Sequence, residues 1–115
     1  MCIGNNFWIN KNCHISCDAG IIIGDDFLGG WEVEFADSDA HYIIINKIKK
    51  IKQGCIEVGN HVWCASHVSI HKGATIGNDT IIGVRSLVLN KFDVNNVIIA
   101  GSPAKIVRNH IDWEL

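Results

Sequence analysis

The sequence predicts an all-β chain wound as a parallel β-helix, and two observations predict it. Val58, Cys64, Ile70, Ile76, Ile82 and Val88 recur at a step of six residues without a slip. The same step opens the chain at Ile3, Ile9, Ile15 and Ile21, then resumes after a two-residue frame shift at Ile23, Gly29 and Phe35. This step is neither the two-residue period of a strand nor the roughly 3.6-residue period of a helix. A fixed short repeat marks a solenoid built from hexapeptide steps. A sandwich of short amphipathic strands has no reason to keep one.

Each repeat position follows from the geometry of a narrow prism. The aliphatic residue points inward, and the position after it is often glycine (Gly4, Gly24, Gly59, Gly77, Gly83), where a Cβ would clash at a bend. Four positions after the aliphatic residue stand small or β-branched residues: Cys13, Ala19, Val33, Val62, Val68, Ala74, Thr80 and Ser86. This second inward position lies near a corner and admits modest volume. Three steps close one triangular coil of about eighteen residues, and stacked coils pair as parallel strands roughly 4.8 Å apart.

In order along the chain, residues 1–35 form the first coils. Residues 36–55, ADSDAHYIIINKIKKIKQGC, break the period as a loop excursion that begins acidic and turns basic. Insertions in a solenoid map to loops on one face and often carry function. Residues 56–99 resume the coils. The tail 101–115 leaves the repeat at Gly101 and Pro103, and the sequence predicts a short amphipathic helix there, with Ile106, Val107 and Ile111 packed on the last coil.

A length of 115 residues fits a single domain spanning 1–115, and 48% hydrophobic residues suffice for a narrow core. The net charge of −2 gives no reason to expect nucleic acid or an acidic membrane surface as partner. There is no apolar run of membrane-crossing length and no secretory leader pattern, so the expected location is soluble and cytoplasmic. The five cysteines are Cys2, Cys13, Cys17, Cys55 and Cys64. An odd count, with Cys13 and Cys64 on inward positions, reads as small apolar fillers in a reducing compartment. Cys13, His14 and Cys17 lack a second pair at finger-like spacing, so no metal site is expected. A short solenoid that starts directly on its repeat exposes core at an open end, which a partner subunit would cover.

The elements GNHVW, KGATIGN and AGSPAK followed by Arg108 occur together and in order, within a stretch running from Val58 to Arg108. With them the chain resembles the hexapeptide-repeat acyltransferases of the left-handed β-helix type, and within these the sugar O-acetyltransferases of the maltose, galactoside and capsule-modifying kind. The resemblance implies the handedness, a homotrimer with active sites at subunit interfaces, acetyl-CoA as co-substrate, no required metal, and a sugar or other small-molecule acceptor. It places the general base at His41 in DSDAH. A sugar hydroxyl must lose its proton as it attacks a thioester, and an imidazole with pKa near ~6.5 accepts that proton at neutral pH.

By the same resemblance, Asn10 in FWINKNC faces the cleft, where its amide binds the tetrahedral oxyanion or places the acceptor. Trp63 borders the CoA channel, backbone groups near Ala65, Ser66, Gly83 and Val84 bind the pantetheine amides, and Lys105 and Arg108 hold the CoA phosphates. Asp37 or Asp39 is a candidate to orient the imidazole. Trp8 and Trp31 point outward in the repeat and, with His14 and Asp39, are candidates for the acceptor cleft or the interface. His61 reads as a surface turn residue, and His67 and His71 as outward polar residues. The chain departs from the family's usual small residues at Val84 and Arg85, which puts bulk beside the CoA groove.

Three other functions compete. One is an acetyltransferase that modifies an antibiotic hydroxyl on the same fold. Another is a zinc hydro-lyase of the carbonic anhydrase type, which requires histidines of neighbouring coils to converge on the metal. The last is a truncated, non-catalytic trimer.

Overall fold

The computed structural model describes all 115 residues and contains seventeen strands and no helix. Fourteen short strands wind as five coils around three faces. The first coil holds β1 (Cys2–Ile3), β2 (Trp8–Ile9) and β3 (His14–Ser16); the second holds β4 (Ile21–Ile23), β5 (Leu28–Gly29) and β6 (Glu34–Ala36). A hairpin of β7 (Ser38–Ile45) and β8 (Ile48–Gln53) interrupts the winding. The third coil holds β9 (Ile56–Val58), β10 (Trp63–Cys64) and β11 (Ser69–His71), and the fourth β12 (Thr75–Ile76), β13 (Ile81–Ile82) and β14 (Leu87–Val88). The last coil holds β15 (Lys91–Phe92) and β16 (Val97–Gly101), and β17 (Ala104–Asn109) folds back on β16. The first face stacks β1-β4-β9-β12-β15, the second β2-β5-β10-β13-β16-β17, and the third β3-β6-β11-β14. All pairs within the coils are parallel.

The six-residue step translates directly into the core. Val58, Cys64, Ile70, Ile76, Ile82 and Val88 are each 4% exposed or less. Burial pushes the Cys64 thiol pKa well up, and Cys13 adds to the effect. Ile3, Ile9 and Ile15 keep the same inward register but are only partly covered, because the first coil has a neighbour on one side alone. Corner positions hold more volume there than the repeat suggests. Phe7 and Phe27 occupy them and stack at 5.4 Å. Gly29 makes room: a Cβ at Gly29 would lie 3.0 Å from the Phe27 ring.

The edge between the first and second faces is tied by a ladder of Asx side chains. Asn5 N donates to Asp25 Oδ1 (2.7 Å), and Asp25 N, Asn60 N and Asn78 N donate in turn to Asn60, Asn78 and Asn95 (2.8 Å each). This explains the glycine before Asn5, Asp25, Asn60 and Asn78: a Cβ at Gly24 or Gly59 would collide with the side chain of the next rung, Asn60 or Asn78.

The two-residue frame shift also has a structural meaning. The step from Cys2 to its partner Ile22 is two residues longer than the step from Glu57 to Thr75. The extra length enlarges the corner at 17–20, and Asp37 fills it. Its carboxylate accepts from Asp18 N (2.7 Å), Ala19 N (2.8 Å) and Gly20 N (2.6 Å) and is fully buried. Burial by itself opposes ionisation, but these three amides, with the Cys17 thiol, outweigh it and hold the carboxyl below its ordinary range.

Two expectations need correction. The excursion is an antiparallel hairpin that projects from the edge between the third and first faces, with Tyr42 paired to Ile51 and Ile45 to Ile48. Its alternation of isoleucines and lysines satisfies strand pairing without a core, and Tyr42, Ile43, Ile44, Ile45, Ile48 and Ile51 all remain exposed. The predicted C-terminal helix does not form. Residues 104–109 form β17 instead, antiparallel to β16, with Ile106 and Val107 exposed rather than packed. Six residues are too few to sustain a helix nucleus, whereas β16 offers an unpaired upper edge that a returning strand satisfies.

Candidate active site

Trp8, Trp63, Lys105 and Arg108 fall on one track, and Asn10, Ala65, Ser66, Gly83 and Val84 on a second. The first is the outward row of the second face. Strand register aligns Trp8, Leu28, Trp63, Ile81, Ile98 and Arg108 in one line. It is an apolar stripe closed at its upper end by a guanidinium, and Lys105 lies on the same terminal strand opposite Ala100. Trp8 is 66% exposed and Trp63 39%.

The second track is the edge between the second and third faces. Asn10, Gly30, Ala65 and Gly83 stack there through Asn10 N to Gly29 O (3.2 Å), Gly30 N to Cys64 O (2.8 Å), Ala65 N to Ile82 O (2.9 Å) and Gly83 N to Ile99 O (2.8 Å). The Ala65 and Gly83 N–H groups are taken up by the coil ladder, which leaves carbonyl oxygens as the backbone groups that face outward from this edge. Ser66 Oγ receives Trp31 N at 2.9 Å, which pins the half-exposed Trp31 backbone to the edge. Val84 is 61% exposed and stands outward on the track, with Arg85 beside it in a left-handed conformation (φ 58°). Lys11 lies 6.0 Å from the Trp31 ring centre.

His41 is not on either track. It sits on the hairpin, in the irregular stretch between Ser38 and Tyr42 where the register slips, next to Ala40 at φ 64°. Such a bulge re-aims a side chain out of the ladder plane. His41 is exposed and its imidazole makes no hydrogen bond within the chain. Neither aspartate orients it: Asp37 is turned inward on the 18–20 amides, and Asp39 accepts from Lys72 Nζ at 2.6 Å. The third face lies between His41 and the Asn10 edge, and His14 stands exposed on that face, in register with Glu34.

Two other histidines, His67 and His71, are each paired with a single carboxylate. His67 Nδ1 meets Glu32 at 2.9 Å and His71 Nε2 meets Glu34 at 3.1 Å. No second histidine of the same chain stands beside His71, whose imidazole engages Glu34. The sequence reading missed Trp113. Its ring stacks on His61 at 3.9 Å and 6°, its Nε1 donates to His61 O at 2.9 Å, and its ring centre is 6.1 Å from that of Trp63. A tail residue beyond the repeat gives no periodic signal.

No family model matches the chain. Among curated proteins, the galactoside O-acetyltransferase of Escherichia coli strain K12 is 35% identical over 108 residues, which cover 92% of this chain and 52% of that protein. The chain spans about half the length of the curated relatives it matches. Among solved structures, a hexapeptide-repeat acetyltransferase of Vibrio cholerae in complex with acetyl-CoA superposes with a TM-score of 0.81 at 27% identity, over 96% of this chain and 60% of that one. A maltose O-acetyltransferase of Clostridium difficile gives a TM-score of 0.80 at 25% identity, over 96% and 59%. The coils share the left-handed winding of these proteins. In repeat, fold and sequence alike, this chain is similar to the hexapeptide-repeat, left-handed β-helix acetyltransferases.

Proposed function

We propose that the chain is an acetyl-CoA-dependent O-acetyltransferase that acts on a sugar hydroxyl, works as a homotrimer and resides in the cytoplasm. One observation carries this reading: the donor track and the candidate base lie on different edges of the prism. Asn10, Ser66 and Val84 share the edge between the second and third faces, whereas His41 projects from the edge between the third and first. One chain alone has a track without its base. In a cyclic trimer, the hairpin of one chain is placed to meet the track of the next. Burial at such a seam also gives the hairpin's exposed isoleucines a partner, without which a lone two-stranded ribbon is marginal in water. The acetyl-CoA complex and the galactoside and maltose enzymes among the similar proteins support the donor and the acceptor class. Five free cysteines suit a reducing compartment.

In this mechanism the pantetheine arm lies along the track, where the Ala65 and Val84 carbonyls accept no hydrogen bond within the chain and remain available to it. Trp63 and Ile81 exclude water, and Lys105 and Arg108 pair with the phosphates at the upper end. The His41 imidazole takes the proton of the acceptor hydroxyl as its oxygen attacks the thioester carbonyl. The Asn10 amide donates to the oxyanion of the tetrahedral intermediate. Collapse breaks the carbon–sulfur bond, and the departing thiolate receives the proton from the imidazolium, which leaves an acetyl ester and free CoA.

Thiol release from acetyl-CoA, measured against a panel of galactosides, glucosides and amino sugars, tests the reading. Saturable release that depends on a sugar hydroxyl is expected. Release that is the same with and without every acceptor would contradict it. The exposed Val84 gives a further expected outcome. Val84→Ala widens the track and lowers KM for acetyl-CoA roughly fivefold with kcat unchanged, a difference of the size two methyl groups make in an apolar groove. Steady-state kinetics with acetyl-CoA varied at fixed acceptor check this.

A further inference from the structure

We infer that the edge between the first and second faces carries a binding site for a divalent transition-metal ion, formed by His61, Asp79 and Asp112, that fastens the C-terminal tail to the solenoid. His61 and Asp79 occupy equivalent corner positions of successive coils, both left-handed (φ 55° and 53°), so stacking brings one directly over the other. His61 Nδ1 lies 2.9 Å from Asp79 Oδ1 and 4.0 Å from Asp112 Oδ1, and the three donor atoms all fall within 4.8 Å of one another. An ion with ligands at about 2.0–2.2 Å holds neighbouring donor atoms roughly 3–3.5 Å apart. His61 and Asp79 stand just inside that spacing, at hydrogen-bond distance, so an ion would take the place of the proton they share with a small outward shift. Only Asp112 must close in, and its side chain is 74% exposed on the tail.

Two further observations point the same way. No lysine or arginine pairs with Asp79 or Asp112, so the two carboxylates face each other across one imidazole without a cation. The imidazole is itself held in place: Trp113 stacks flat against it and bonds the His61 carbonyl, which fixes the ring plane beside the carboxylates. One imidazole and two carboxylates suit Mn²⁺, Zn²⁺ or Co²⁺ better than an all-oxygen calcium cage or a thiolate-bound soft ion. Next to the site is a cavity of about 690 Å³, lined in part by Phe7, Trp8, His61, Trp113 and Leu115. An ion bound here would hold the tail as one wall of that cavity. The site lies on a different edge from Asn10 and Ser66, and the proposed acetyl transfer makes no use of it.

Mn²⁺ is the suitable probe, because the five free cysteines do not compete for it. The full chain, stripped of metal, is titrated with Mn²⁺ at neutral pH, and binding is followed by electron paramagnetic resonance and by tryptophan fluorescence. Saturable binding of one ion per chain is expected, with quenching that is largely lost in Trp113→Phe. Asp112→Asn, an exposed substitution that leaves the coils intact, weakens binding by about tenfold or more, and His61→Ala abolishes it. His71→Ala, which removes an imidazole facing a single carboxylate, leaves binding unchanged. Absence of saturable binding, or equal binding in wild type, Asp112→Asn and His61→Ala, would overturn the site.

Discussion

His41→Ala lowers kcat by about 10²–10⁴-fold, the range that removal of a general base costs, while the thermal midpoint stays where it was. Both halves follow from its placement. His41 stands exposed in a hairpin bulge and its imidazole holds no hydrogen bond in its own chain, so its loss removes no contact that the fold uses. Asn10→Ala lowers kcat by about 10²–10³-fold, as loss of one oxyanion donor does elsewhere. Steady-state assays paired with thermal melts check both variants. Near-normal kcat in His41→Ala would remove the base from the mechanism, whichever acceptor is used. His67→Ala and His71→Ala serve as comparisons, since their imidazoles engage Glu32 and Glu34 on the coil faces.

Asp37→Ala destabilises the chain by about 3 kcal/mol, the order expected when buried amides lose a charged acceptor, and lowers the melting temperature by roughly 10 °C. Three backbone donors in the enlarged 17–20 corner are orphaned together. The pH dependence has a fixed sign. The folded carboxyl is held below its ordinary value near 3.8. Its stabilisation is therefore complete at neutral pH and is lost as pH falls below that value and through the lower folded one. The gap between wild type and Asp37→Ala is widest at neutral pH and narrows in acid. Denaturant titrations at neutral pH and near pH 3 measure it. A gap that is constant or grows in acid would show that the carboxylate is not what holds the corner.

The winding was legible because each repeat residue reports its own direction: an aliphatic residue every six positions has one inward orientation, and the structure buries Val58 through Val88 accordingly. The tail was misread because Ile106, Val107 and Ile111 at helix-like spacing say nothing of the unpaired β16 edge beside them, and that edge decides the strand. Asp37 was read as a partner for His41 because the two are neighbours in sequence. Its true neighbours, residues 18–20, lie one coil back, and the pairing of Ser16 with Ala36 that brings them together depends on the length of the intervening corner. The His61–Trp113 stack was illegible for a similar reason: the tail carries no period that would fix where it crosses the coils. Candidate site residues on coils, such as Trp63 and Val84, could be placed from the repeat. His41 is placed by a hairpin bulge that composition does not announce.

The most direct measurement mixes two disabled chains. His41→Ala lacks the base, and Asn10→Ala lacks the oxyanion donor on the track. The two are unfolded together, refolded as mixed assemblies and assayed for acetyl transfer. If each site is built from the hairpin of one chain and the edge of another, random assortment leaves about a quarter of the sites with both groups intact. Activity then rises far above that of either variant alone. Activity no greater than the sum of the two separate variants, in assemblies verified to be mixed, would mean that base and track belong to the same chain and would contradict a seam-built site.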